Sequence, residues 1–446
     1  PPPPPPHPHF FNDTATTEIY TGLYSSAASD VYKRQPHHHS AEVLISIGVG
    51  SRHETPHKAG ISHFLEHMLF KGTEEYPTGL NLERAFEAIG GSANAATDSE
   101  TTCFHSRIHP NHIDRGIAIF ASMMQRPLFK DMQMERRVIL EEAMGDLNEA
   151  GRQINSDNII ASLLFPGHPL GQPTVGSRSA IARLTPRQLQ RHHATYYTPR
   201  NAVLAVAGPV EHRQVVAAAQ QHFGGWQGDH APQPKQWTDF SGTDRPLRWV
   251  RDAGSQISAQ LAFLLPGRDS EHAVNLRVLR RLLGWGGMSR LMLRLREELG
   301  LTYAVDASLG LYAEAGVLAI DLAVSPENLT QATAAILDIL SELHHNEVCR
   351  DELDHVLNCY RCDLDYSRDQ VDEMALRYAW GELTDCRRTI GDDLAGIDRV
   401  TACGLQQTVE ELLTPRNLRG AIIGPYRSRD RKAVEELIAD WHPGLD

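Results

Sequence analysis

The chain has 446 residues, 43 Lys+Arg against 56 Asp+Glu for a formal charge of −13, with 41% hydrophobic and 7% aromatic residues. That length supports two or three domains, each with its own core, and an acidic chain without a clustered Lys/Arg run lacks the electrostatic footprint of a nucleic-acid binder. No stretch approaches 18 consecutive apolar residues, so no helical membrane span is expected, and six scattered cysteines are too few for a disulfide scaffold.

The first 39 residues read unlike the rest. Residues 1–6 are a proline run, residues 12–35 are Thr/Ser/Tyr-rich without period, and His37, His38 and His39 form a triplet. The run at 12–35 looks like translated sequencing-adaptor read-through, so residues 1–39 are read as a disordered or artefactual tail and set aside from fold reasoning. With the start of the chain in question, the sequence assigns no compartment. Beyond the tail the pattern mixes elements: residues 43–49 and 201–207 are short apolar, β-branched runs that read as strands, while residues 80–89 and 131–147 carry helical spacing. Thr185-Pro186 places a cap residue before a proline at the first helical position and opens a helix to about Tyr196.

Between those elements lies the segment at residues 60–73, GISHFLEHMLFKGT. Ile61, Phe64, Leu65, Met68, Leu69 and Phe70 surround the helix on nearly every side, which predicts a buried helix ending at Gly72. His63 and His67 are four apart and stack on one face, with Glu66 beside them. The pattern is H-x-x-E-H, the inverted relative of the H-E-x-x-H zinc motif. Two imidazoles one turn apart can both reach a zinc ion at about 2.0–2.1 Å, and the glutamate can take a proton from water there. With 23 His and 56 acidic residues in the chain, chance supplies only about 0.15 such matches. A hydrolytic zinc site needs a third protein ligand. The segment at 131–147, a predicted helix capped by Asp131, offers Glu135 and Glu142 two turns apart on one face, with Glu141 pointing elsewhere; a charged helix of this kind also fits a plain solvated face.

Farther along, an internal comparison organises the chain. Thr198-Pro199-Arg200-Asn201 with Gly208-Pro209 recurs as Thr414-Pro415-Arg416-Asn417 with Gly424-Pro425, at one offset of 216 (414 − 198 and 424 − 208). A weaker pair, at Gly50 and Gly267, recurs at 217 (267 − 50). Self-similarity at a fixed offset marks two copies of one fold. Residues 40–223 are therefore read as an N-terminal domain, 224–248, rich in Gly, Pro, Gln and Asp, as a linker, and 249–446 as a homologous C-terminal domain. Each is expected to be α+β, a mainly antiparallel sheet with helices packed on one face. Applying the 217 offset, His63, Glu66 and His67 fall at Arg280, Leu283 and Gly284, which cannot recreate the motif, so the second copy is expected to hold no metal. Cys359 and Cys362 form a lone C-x-x-C in the helical stretch 351–366 and read as buried structural thiols.

H-x-x-E-H at positions 63–67, followed by the second glutamate of ERRVILEE at position 142, resembles the pitrilysin and mitochondrial processing peptidase family of zinc metallopeptidases, in its short two-domain form. The resemblance implies one Zn²⁺ per chain held by His63, His67 and Glu142, with Glu66 as general base and Glu135 as a supporting glutamate. It places Asn94 and Ala95, in the stretch GGSANAAT, on an edge strand that pairs with an extended substrate peptide. Arg296 and Tyr303, in LREELGLTYAV, match a pair that holds the substrate near the scissile bond. The implied activity is cleavage of oligopeptides or unfolded segments. The implied assembly is a homodimer whose four domains enclose a chamber, each subunit's Arg/Tyr pair serving the other's zinc. The family also contains non-catalytic scaffold and regulatory subunits, an alternative against which the intact motif argues. Family members normally carry one more strand before Val43, which here would fall in the tail.

Overall fold

The computed structural model describes residues 10–12, 18–21, 29–34, 39–240 and 246–443. The chain forms two compact units: one from the chain through Ala143, Gln172–Lys235 and Tyr366–Arg388, the other from Met144–Gly171, Gln236–Asp365 and the chain from Thr389.

The first unit is built on a sheet of seven strands, β1 (Phe10–Asn12), β2 (Glu18–Thr21), β3 (Ser29–Arg34), β4 (Ala41–Ile47), β5 (Asn94–Thr97), β6 (Thr102–Ile108) and β7 (Ala202–Gly208), in the order β1-β2-β3-β7-β4-β6-β5. β3 runs parallel to β7 and the remaining neighbours are antiparallel. The tail that was set aside thus supplies three strands. The physical reason is the flank of β7, whose N–H and C=O groups need partners; Ser29–Arg34 pairs with Val203 to Gly208 and takes the place of the strand expected before Val43. Of the histidine triplet only His39 is described, and it is exposed.

The strand residues alternate as a two-sided layer requires. Ala41, Val43, Ile45 and Ile47 of β4 enter one core with Phe64, Leu65 and Met68 of the helix Ile61–Leu69 and with Ile117, Phe120 and Met124 of the helix Ile113–Gln125. The intervening Glu42, Leu44 and Ser46 are just as buried, because the helix Val371–Leu383 lies against β4 and β7 on the opposite face. The helices of the N-terminal half do pack on one face, as expected; the second face is closed by a helix from far along the chain.

The second unit has five strands, β8 (Leu247–Arg251), β9 (Ile257–Pro266), β10 (Ala304–Leu311), β11 (Ala315–Val324) and β12 (Leu418–Gly424), ordered β10-β11-β9-β12-β8. Only β8 and β12 are parallel. This is the order β5-β6-β4-β7-β3 of the first unit, strand for strand. In places the repeat keeps a single offset: the helix Pro186–Tyr196 recurs as Ala402–Leu412 (402 − 186 = 216) and β7 as β12 (418 − 202 = 216). Ala262 and Leu264 of β9 cluster with Ile159, Ile160 and Leu164 of the helix Ser156–Leu164, whereas Phe263 meets the Trp441 ring on the other side. Among the described residues no helix is long and apolar enough to cross a membrane. Cys359 and Cys362 are free thiols, half-buried rather than buried: the helix Arg350–Ser367 buries Leu353, Leu357, Tyr360 and Leu364, and the cysteines sit beside that stripe.

Candidate metal centre

The helix Ile61–Leu69 is apolar on most sides and is buried at every position but His67, which confines its polar residues to defined partners. It starts at Gly60, whose φ of 92° is left-handed, and gives way at Phe70 to a turn with Gly72 at φ 120°. A second helix, Met132–Gly145, crosses the site. Its buried residues are Met132, Glu135, Ile139 and Ala143, an i, i+3, i+7, i+11 stripe in which one member is a carboxylate. Asp131 does not cap it through its side chain as expected. At φ 59° its carbonyl oxygen accepts instead from the Met134 and Glu135 N–H groups. Arg136 holds this helix in place by donating to the carbonyl oxygens of Ile181 and Leu184, with its guanidinium 5.6 Å from the Phe64 ring centroid.

These two helices bring His63, His67 and Glu142 together. Their ligand atoms all lie within 4.8 Å of one another; His63 Nε2 is 3.5 Å from Glu142 Oε1 and His67 Nε2 3.7 Å from Glu142 Oε2. Two donors each about 2.0–2.1 Å from a tetrahedral ion stand roughly 3.3–3.4 Å apart, so the trio is spaced for an ion between its members and too widely for direct hydrogen bonds. The donor set also fits. Burial, and then the neighbouring His67, pull the His63 imidazole down to about 4, which keeps it neutral and able to donate a lone pair. Two imidazoles and a carboxylate are a hydrolytic-zinc donor set.

Glu135, 4% exposed, lies behind His67: its Oε2 is 3.3 Å from His67 Nδ1 and its Oε1 is 2.6 Å from Lys71 Nζ. A proton on His67 Nδ1 is thereby held by Glu135, leaving Nε2 free to face Glu142. Glu66 projects from the same helix and accepts a hydrogen bond from Thr97 Oγ1 at 2.5 Å. Burial pushes its carboxyl up, against the pull of Thr97 and His67. Thr97 is the last residue of β5, the strand that carries Asn94 and Ala95 and, among the described residues, pairs on one side only, with β6. The open strand and the H-x-x-E-H helix are thus joined by one hydrogen bond.

Residues 31–178 match the insulinase (peptidase family M16) model and residues 183–359 the peptidase M16 inactive domain model. The chain belongs to the M16 peptidase family. Within this family, an uncharacterized zinc protease of Mycobacterium tuberculosis is 33% identical over 410 residues, covering 90% of this M16 chain and 92% of that protein. An uncharacterized zinc protease of Bacillus subtilis is 29% identical over 327 residues, 73% of this chain and 78% of that one. The crystal structure of a protease from Helicobacter pylori has the same fold, with a TM-score of 0.84 at 21% identity over 92% of this chain and 99% of that chain.

In the second unit, Arg280 stands where the offset puts the counterpart of His63. It donates to the Ala307 carbonyl and stacks 4.4 Å from the Trp285 ring centroid. Arg296, in the π-helical segment Met292–Glu298, and Tyr303, 81% exposed, are brought together there, guanidinium over phenol ring at 4.9 Å. Sequence reasoning did not find Lys71, Thr97 or Glu54. Lys71 follows His67 by one helical turn, which is a usable signal; Thr97 carries none, because only the fold sets β5 against the helix. Glu54, buried, receives the Gly60 and Ser62 N–H groups on Oε2 and Oε1 at 2.6 and 2.8 Å, and burial pushes its carboxyl up to about 7 against the pull of those two donors.

Proposed function

We propose that this M16 chain is a zinc-dependent endopeptidase that cleaves oligopeptides or unfolded peptide segments. The observation that carries the reading is the convergence of three metal-type donor atoms, a proton acceptor and an open strand edge: His63, His67 and Glu142 within 4.8 Å of one another, and Glu66 tied through Thr97 to β5. One zinc ion held by the trio would polarise the scissile carbonyl and lower the pKa of water to about 7.

Glu66 takes the proton of the attacking water on its carboxylate and then delivers it to the departing amine, acting as base and then as acid. Its raised proton affinity suits both halves of that exchange. Glu135 supports the centre by orienting His67. The substrate lies extended along β5, adding a strand through backbone hydrogen bonds at Asn94 and Ala95; such an edge accepts only a chain that is not already folded. Arg296 and Tyr303 bind peptide carbonyl oxygens through N–H and O–H donors. Because one unit carries the metal residues and the other the Arg/Tyr pair, two copies of one chain are sufficient for a complete assembly, and we place the enzyme as a homodimer.

The deciding experiment is Glu66→Gln. The amide still accepts from Thr97 but cannot take a proton, so zinc content stays at one per chain while peptide cleavage falls by about 10²–10⁴. Cleavage near the wild-type rate removes Glu66 from the chemistry. A wild-type protein without stoichiometric metal favours the non-catalytic scaffold.

A further inference from the structure

The first turn of the helix that bears His63, Glu66 and His67 has no capping side chain of its own, because its N-cap is Gly60. Glycine is required there for space as well as for its φ: a Cβ on Gly60 would lie 2.3 Å from the Val175 carbonyl oxygen. The orphan N–H groups of a helix start must still be satisfied. Two of them are met from six and eight residues upstream by the buried Glu54 carboxylate, one oxygen to Gly60 and the other to Ser62. The Ser62 hydroxyl, 3.4 Å from the Gly50 carbonyl oxygen, lies 3.1 Å from His192 Nε2. His192 belongs to the helix Pro186–Tyr196 and is kept neutral by burial. The residue after Ser62 is His63.

We infer that Glu54 is a positioning residue of the metal centre: its two-pronged grip on Gly60 and Ser62 sets the rotation of the first helical turn and so holds His63 Nε2 at its distance from Glu142. Each oxygen takes one N–H, so the two bonds define a line across the turn and resist twist about the helix axis, which a single cap does not. His192 grips the same residue from a second helix, and the Val175–Gly176 backbone closes on Gly60 from a third side. Glu54 touches neither the trio nor Glu66, and its effect reaches the metal only through the backbone of residues 60–63. The inference rests on the zinc reading above and adds a group to it.

Glu54→Gln is isosteric but turns one of the two acceptors into an NH₂ that faces an N–H. Zinc affinity is measured by competition with a chromophoric chelator, and the cobalt-substituted protein gives a visible spectrum that reports ligand geometry. The expected result is a folded protein whose zinc dissociation constant rises tenfold or more, with a shifted cobalt band. A group that only stabilised the fold would lower the melting temperature and leave both readouts at wild-type values, and that result overturns the inference. If Glu54→Gln does not fold, Glu54→Asp, which keeps the charge but cannot span both N–H groups, is measured instead: weakened zinc binding supports the assignment and wild-type binding refutes it. Wild-type protein in the same titration separates the two readings, since failure of the wild type to bind zinc brings down the metal centre itself, whereas equal binding by wild type and variant brings down only the role of Glu54.

Discussion

Burial holds His53 and His193 down to about 4 and His192 to about 3, so all three stay neutral in the folded protein. In the unfolded chain each takes a proton near 6.5. Their contribution to stability is therefore complete above pH 6.5 and is lost as the pH falls toward 4, by about 2 kcal/mol for each histidine at pH 5. Glu54 runs the other way: held up to about 7 when folded and titrating near 4.5 when unfolded, it favours the fold below pH 4.5 and loses that contribution as the pH rises through 7. His63, likewise held down to about 4 without zinc, acts in the same sense as these three, and Asp321, which burial pushes up to about 6, acts with Glu54. The four histidines outweigh the two carboxyls, so zinc-free protein is expected to be less stable to urea at pH 5 than at pH 7. His192→Gln, whose amide can still donate to Ser62, should flatten that slope; an unchanged slope would count against the assignment. The same residues mark what the sequence could reveal about the site. His63, Glu66 and His67 are readable because one helical turn fixes their geometry. Glu142 lies on a separate helix far along the chain, and spacing alone favoured a solvated face for it. Glu54 carried no such signal, since a cap supplied from upstream of the helix has no fixed sequence interval.

Elements were readable where their ends carry local chemistry. Thr185 and Gln188 form a reciprocal capping box around Pro186, and the helix runs to Tyr196 as the sequence implies. The helix Met132–Gly145 also forms where the spacing put it, but its start is set by a left-handed Asp131 whose carbonyl takes the first N–H groups, a conformation that aspartate tolerates and that composition does not announce. The segment leading into the helix Arg178–Ile181 depends on a closer fit. Gly176 has φ 90°, and a Cβ there would sit 2.3 Å from the Ala59 carbonyl oxygen and 2.5 Å from Gly60 Cα. Gly176→Ala combines a disfavoured φ with a backbone clash, and a loss of at least about 2 kcal/mol in urea unfolding is expected. A variant that unfolds at the wild-type urea midpoint would mean that residues 175–176 do not press on the start of the metal-bearing helix.

The whole molecule was half visible in its repeat. The constant offset between landmarks announces two copies of one strand order, and both sheets have it. What no periodicity encodes is the sheet each helix joins: Val371–Leu383 buries Val371, Met374, Ala375, Tyr378 and Ala379 in the pattern of any amphipathic helix, yet it closes the first sheet. If two subunits share their sites, mixing Glu66→Gln subunits with Arg296→Ala/Tyr303→Phe subunits should restore part of the peptidase activity that neither has alone. Sedimentation showing a fully active monomer would end the homodimer proposal. The late arrival of that helix also bears on how the protein is made. β7 is complete at Gly208, whereas the helix that covers β4 and β7 begins only at Val371. At about 5–20 residues per second the nascent chain carries an uncovered strip of Leu44, Val203 and Ala205 for roughly ten to thirty seconds, with His63, His67 and Glu142 already synthesised. During that interval the strip is bare apolar strand surface, of the kind that invites association with other chains until Val371–Leu383 covers it.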